Sequence, residues 1–424
     1  MKFFIFSVLM SAFLIWKVND LNPLWLDLSQ NNVITAELGH PFDNFQPILL
    51  EEIDGEQKPT YQYRNNLERT GVSREGIALP MRPVWSSRKI NYFIHGASKA
   101  SAAADKDGVA VPSDSGWLYY FDFSGQLKWK FYISESHRGM HSTPILTKDY
   151  VYFGGYNGNF YAVHRKNGKP AWVTEVGQTI GASPIKDGRW IYVSVELTQS
   201  PLDGYIVKID ASNGNVKWKS DPMEEQSHSS PTIDKRLGLV IAGANSSKLF
   251  GMDIHTGEQR WSYETKGDIK GTAALVDGKL YYADWGGTLT ALHSVNARHI
   301  WTTNVGDLTQ SSPTVIKDIG VIVLSSNERK VLGISLDTGK VIWEVPTNSA
   351  RDMGSATAFQ ETKTGQWMVA TSCSATELCI MVAKTGEVKQ RLDTGGKITS
   401  VPTVSNNRIY ITTDDNNLRV FSGS

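Results

Sequence analysis

The residues of this chain that could do chemistry fall into two groups, a set of basic and amide side chains and one pair of cysteines. Lys99, His141, His228, Lys270 and Gln310 occupy the same place in successive copies of a repeat, and Arg138, Arg351 and Lys397 lie on the same stretches of chain. Such side chains donate hydrogen bonds and favour negative charge, so gathered at one place they would hold a carboxylate or another anionic group. Asp268, Asp307 and Asp352 nearby offset part of that charge. Motifs for covalent or metal chemistry are missing from the pattern. The His residues occur singly, none at metal-ligand spacing, and no Ser–His–Asp or Cys–His arrangement stands out. Gly154-Gly-Tyr-Asn-Gly158 and Asp284-Trp-Gly-Gly287 are Gly-rich, but each lies between two alternating apolar runs and reads as a hairpin turn. No catalytic or metal-binding residue is therefore expected.

The elements that would position these residues form a repeat. A hydroxyl residue and a Pro or Ala open each unit; a short alternating strand, a turn, a second strand, a second turn usually holding Gly, and a Trp follow. The openings at Ala102, Pro144, Pro184, Pro231, Ala273, Pro313, Ala356 and Pro402 lie 40 to 47 residues apart. Segments such as Trp190-Ile-Tyr-Val and Arg408-Ile-Tyr-Ile-Thr are rich in β-formers and lack helical spacing. Eight units of this length predict an all-β chain, an eight-bladed β-propeller of four-stranded antiparallel blades over residues 81–424. The eighth unit stops at Ser424 without a Trp strand, and Pro83-Val84-Trp85-Ser86 supplies one at the other end, so that strand is expected to close the ring.

Register within the repeat places the candidate site. Two residues before each opening stand Ala100, Ser142, Ala182, Ser229, Gly271, Ser311, Gly354 and Ser400, all small, as strands crowded round an axis require. One residue earlier the ring reads Lys99, His141, Gly181, His228, Lys270, Gln310, Met353 and Thr399, with no acid among them. These eight positions predict one mouth of the central channel. The cysteines fall elsewhere, aligned with Gly155 and Tyr161 of the second unit on a hairpin whose loop is 374–378. An odd loop can set Cys373 and Cys379 opposite each other at disulfide distance.

Residues 1–17 read as a signal peptide or anchor: Lys2, a fourteen-residue apolar run from Phe3 to Trp16, then Lys17. Residues 18–80, with Pro23, Pro41, Pro47 and Pro59, read as a tether. Lys and Arg together number 43, as do Asp and Glu, and blocks of like charge are absent along the chain, which argues against a nucleic-acid partner. An exported chain, periplasmic or facing the periplasm through a tether at residues 3–16, is expected.

The repeat resembles that of the pyrroloquinoline-quinone-like propellers. Gly251-Met-Asp-Ile-His-Thr-Gly-Glu-Gln-Arg-Trp261 and Gly333-Ile-Ser-Leu-Asp-Thr-Gly-Lys-Val-Ile-Trp343 carry the family's docking motif, and Tyr61-Gln-Tyr-Arg-Asn-Asn-Leu-Glu-Arg-Thr-Gly-Val72 looks like the Arg…Thr-Gly motif that precedes its first blade. The resemblance implies the fold over residues 61–424 and two kinds of activity. One is a non-catalytic binding or scaffold module of the cell envelope, with an envelope protein or polymer as partner and no cofactor. The other is a quinone-dependent oxidoreductase holding the quinone with calcium. The oxidoreductases of the family are commonly larger and many carry two adjacent Cys, whereas Cys373 and Cys379 are apart, and no residue matches their calcium ligands. The family's assembly lipoprotein carries a lipidated Cys near its start, which has no counterpart here. The scaffold is the reading expected.

Overall fold

The computed structural model describes residues 25–27, 58–91, 100–133, 139–199, 201–307, 309–347 and 354–424. The expected signal segment and most of the expected tether lie outside them. Eight antiparallel sheets follow one another round an axis. Blade 4 is representative: Thr232–Asp234 pairs with Leu239–Ala244, which pairs with Lys248–Asp253, which pairs with Gln259–Glu264. The three inner strands are buried almost throughout because both faces meet a neighbouring blade, and the outermost alternates between exposed and half-buried. Blade 1 carries Trp25–Asp27 as a fifth strand outside Leu127–Tyr132.

Blade 8 is completed from the start of the propeller. Met81–Ser86 lies outside Leu418–Gly423, with Trp85 opposite Val420 and Met81 opposite Gly423. The first and last parts of the propeller thus share one sheet, and the outer edge of the Leu418–Gly423 strand is covered.

Each outer strand bulges by one residue immediately before its Trp, or before Gln390 in blade 7. A bulge adds local twist and re-aims the residue that follows. The Trp ring is thereby turned onto the next blade, where it lies over the tight turn before that blade's own outer strand. A Cβ added to Gly168 would stand 2.6 Å from the ring of Trp129, and the same relation holds for Gly125 with Trp85, Gly214 with Trp172, Gly339 with Trp301 and Gly386 with Trp343. Trp129, Trp172 and Trp343 also donate their Nε1–H to the carbonyls of Arg165, Ala211 and Ala383 across the seam. The repeat's Gly and Trp are therefore one joint made between consecutive blades.

Residues 60–78 pack across one end of the channel and visit the blades in chain order. The Thr60 hydroxyl donates to Asp105 of blade 1. The N–H groups of Leu146, Ile233, Leu275, Val315 and Ala358, on the innermost strands of blades 2, 4, 5, 6 and 7, donate to the carbonyls of Tyr61, Leu67, Glu68, Thr70 and Gly71. In blade 3 the Lys186 N–H donates to the Gln62 side chain, and Asn407 of blade 8 accepts from the Ala78 N–H. Innermost strands have an unpaired edge toward the axis, and this segment satisfies it.

Cys373 and Cys379 are bonded, with their Cα atoms 5.7 Å apart. The hairpin differs from the expected loop of 374–378. Strands Trp367–Ser374 and Glu377–Val382 leave only Ala375 and Thr376 between them, Cys379 stands opposite Thr371, and the register shifts at Cys373. A bulge absorbs the odd residue and still brings the sulfurs together.

Candidate functional site

The residues opening each blade build a narrow polar channel. Ser101, Thr143, Ser183, Ser230, Thr272, Ser312 and Ser355 line a cavity of about 120 Å³, with Val401 at the eighth place and Tyr63 of the plugging segment at its floor. The hydroxyls knit the ring together. The Oγ atoms of Thr143, Ser183 and Ser230 accept from the N–H groups of Ser101, Thr143 and Ser183. Those of Ser312, Ser355 and Ser101 accept from Thr272, Ser312 and Val401. Each bond crosses from one blade to the next, which gives the hydroxyl at the opening of the repeat its physical reason. Only a short polar side chain fits so near the axis and also pairs a backbone N–H that faces away from its own sheet.

Of the ring expected at the mouth, the structure brings His141, His228, Lys270 and Gln310 to this cavity, with Gly181 between them. Lys397 is half-buried on the blade 8 loop, where its N–H donates to Asp414, and it does not line the cavity. Lys99, Arg138 and Arg351 lie outside the described residues.

Sequence reasoning named Asp268, Asp307 and Asp352 but missed Asp114 and Glu196. The positions of the ring are free of acids, but the space they face is not. His141 Nε2 is 3.5 Å from Asp114 Oδ1, and its Nδ1 is 2.9 Å from the Tyr156 hydroxyl. His228 Nδ1 is 3.0 Å from Glu196 Oε1, and the Glu196 side chain is 2% exposed. Both acids belong to the blade before the histidine they meet, at or just after the end of its second strand. The signal available was an acid at that place one unit upstream, a relation visible only once consecutive blades are known to touch. The Lys270 ammonium lies 4.2 Å from the ring centroid of Trp285. Burial draws Lys270 below the ordinary lysine range, against the opposing pull of Asp268, Glu196 and Glu225. Among the described residues the mouth is thus two histidine–carboxylate pairs, one of them also bonded to a tyrosine hydroxyl, and one half-buried cation.

Beneath the floor stand Arg64 and Arg69, both fully buried. Arg69 donates to the carbonyls of Ser183, Pro184, Pro231 and Tyr63, and Arg64 to those of Pro313, Ala356 and Arg69. Neither forms an ion pair with a carboxylate among the described residues. Burial lowers Arg64 to about 10 and Arg69 to about 9, so both remain charged at neutral pH.

A quinone with calcium, the cofactor implied by the alternative reading, does not fit these residues. Among those described no cluster of three or more His, Cys, Asp or Glu could hold a metal ion. The cavity is also well below the roughly 300 to 1,000 Å³ usual for small-molecule pockets.

The chain is similar in sequence to curated relatives and in fold to solved structures. Outer membrane protein assembly factor BamB of Yersinia pestis is 23% identical over 62% of this chain and 65% of that protein. The Burkholderia pseudomallei protein of the same name is 24% identical over 59% of this chain and 66% of its own length, so the chain spans just under two thirds of each. The crystal structure of BamB from Moraxella catarrhalis superposes with a TM-score of 0.63 at 19% identity, over 81% of this chain and all of that one. The quinohemoprotein alcohol dehydrogenase of Comamonas testosteroni gives 0.68 at 14% identity, over 87% of this chain and 81% of that one, a likeness of fold alone. The family profile described as outer membrane protein assembly factor BamB matches residues 81–220 and 202–376, more than half of the sequence, and the chain belongs to that family.

Proposed function

We propose that the protein is a non-catalytic scaffold of the cell envelope that takes part in outer-membrane protein assembly, exported by residues 1–17 and docking an envelope partner at the mouth formed by His141, His228, Lys270 and Gln310. The observation that carries this reading is the family match, together with a channel too narrow for the chemistry of the family's oxidoreductases and without a metal-ligand cluster among the described residues. A propeller suits the role because its blades form a rigid ring while their loops vary at little cost to the core.

Affinity purification of the full chain from solubilised envelopes tests the reading. Outer-membrane assembly proteins are expected in the eluate from the wild type and depleted when His141, His228 and Lys270 are replaced together by Ser. Dye-linked alcohol oxidation after addition of pyrroloquinoline quinone and calcium would overturn it in favour of the oxidoreductase.

A further inference from the structure

The channel floor carries positive charge that nothing described neutralises. Arg64 and Arg69 bond only to uncharged groups, and those groups adjoin the cavity wall. Arg69 reaches the carbonyl of Ser183, whose hydroxyl lines the cavity, and its guanidinium carbon is 5.5 Å from the ring of Tyr63 at the floor. Arg64 holds Pro313 and Ala356, the residues that follow Ser312 and Ser355 of the wall. Two buried charges beside a small polar cavity raise its potential.

The wall adds donors. The oxygens of Ser101, Thr143, Ser183, Ser230, Ser312 and Ser355 each accept a backbone N–H from the preceding blade, so each hydroxyl keeps its own proton. All six residues are more than nine-tenths buried, and none of these protons has an acceptor among the described residues. Leaving a buried hydroxyl undonated is costly, and one acceptor on the axis would relieve several at once.

We infer that the channel binds a carboxylate, seated on the axis above Tyr63 with its oxygens accepting from the hydroxyl ring and its charge balancing Arg64 and Arg69. A monoanion suits the site better than a phosphate dianion, because Asp114 and Glu196 stand at the rim. The cavity admits an acetate-sized group and excludes a sugar acid. The site rests on the scaffold reading only in taking a partner's acidic side chain as the natural source; the binding itself stands or falls without a partner.

The test is thermal unfolding and calorimetric titration of the full chain, with sodium acetate replacing sodium gluconate at constant ionic strength. Acetate is expected to raise the melting temperature in a saturable way. Equal behaviour in the two salts, or a larger shift with inorganic phosphate, overturns the inference. Val401→Asp would place a carboxylate in the one gap of the ring and is expected to abolish the acetate response, whereas Val401→Asn keeps it; a Val401→Asp protein that still responds as the wild type overturns the location. Should Val401→Asp fail to fold, Gln310→Glu at the half-buried rim is read in the same titration, expected to bind acetate about tenfold more weakly, about 1.4 kcal/mol; undiminished affinity overturns the location. A soluble peptide with a central Glu that competes with acetate while its Gln counterpart does not assigns the source to a protein side chain. Acetate binding without competition assigns it to a free carboxylate.

Discussion

The side-chain amide of Gln390 grips the backbone of Met81 at both ends: Met81 N–H donates to Gln390 Oε1 at 2.8 Å, and Gln390 Nε2 donates to the Met81 carbonyl at 2.7 Å. Blade 7 lacks the Trp of the other outer strands, and this is what stands in its place, bound to the strand that closes the ring. Gln390→Met keeps the volume and removes both bonds, leaving the buried Met81 groups unpaired. It should lower stability by about 2 to 4 kcal/mol in denaturant titration, with Gln390→Ala at least as severe. An unchanged midpoint would mean that closure does not draw on this contact.

The plugging segment should matter more than everything before it. A chain starting at Lys58 retains each bond from residues 60–78 to the eight blades, and one starting at Leu79 retains ring closure but bares the inner edges. The first is expected to melt as the full chain does. The second should melt at a lower temperature or aggregate, as seen by calorimetry and light scattering.

Two glycines separate backbone strain from crowding. Gly188 (φ +54°) has open space where a Cβ would go, whereas at Gly168 (φ +71°) a Cβ would meet Trp129 at 2.6 Å. Gly188→Ala should cost about 1 kcal/mol, the penalty of the left-handed conformation. Gly168→Ala should cost about 3 kcal/mol, because the ring must also leave its seat. Equal losses would show that the Trp yields freely.

The Arg165–Asp105 pair ties blade 2 to blade 1. Arg165 Nη1 is 2.7 Å from Asp105 Oδ2, Nη2 holds Oδ1, and Nε donates to the Tyr120 hydroxyl. Burial pushes the Asp105 carboxyl up, but the hydrogen bonds and charge of Arg165 outweigh it and hold it below the ordinary range. A lowered folded value means stability present above the unfolded carboxylate pKa and lost as pH falls through the folded one. Arg165→Met should cost about 3 to 5 kcal/mol at neutral pH. That penalty should shrink on acidification as the stranded Asp105 takes up a proton, which urea titrations at several pH values will read.

At high pH the tyrosines decide. Burial lifts Tyr61, Tyr161 and Tyr410 to about 12, and Tyr152, Tyr192, Tyr281 and Tyr282 further still. Raised folded values mean that their contribution is intact below the unfolded value of about 10 and lost as pH climbs above it. Tyrosinate absorbance should lag in the native protein and appear with unfolding. A titration that completes while the fold persists would contradict their burial.

What the sequence determined by itself was the periodic part. Alternating apolar strands recur in eight units, most of them with a turn glycine and seven with a Trp at fixed offset, so number of blades, strand direction and the closing role of Trp85 follow from local pattern repeated. The small residues and hydroxyls before each opening likewise located the axis and brought His141, His228, Lys270 and Gln310 to one mouth, because register alone sets which residues face inward. Contacts between units were decided only by the tertiary structure. That Gly168 seats the Trp of the preceding blade, that Asp114 and Glu196 reach the histidines of the next, that Gln390 replaces a Trp by binding Met81, and that residues 60–78 thread the blades in order and set beneath the channel floor two arginines with no carboxylate partner among the described residues all depend on side chains far apart in the chain. Periodicity fixes where a residue sits in its own blade; what it touches is fixed by the twist and bulge that set one blade against another.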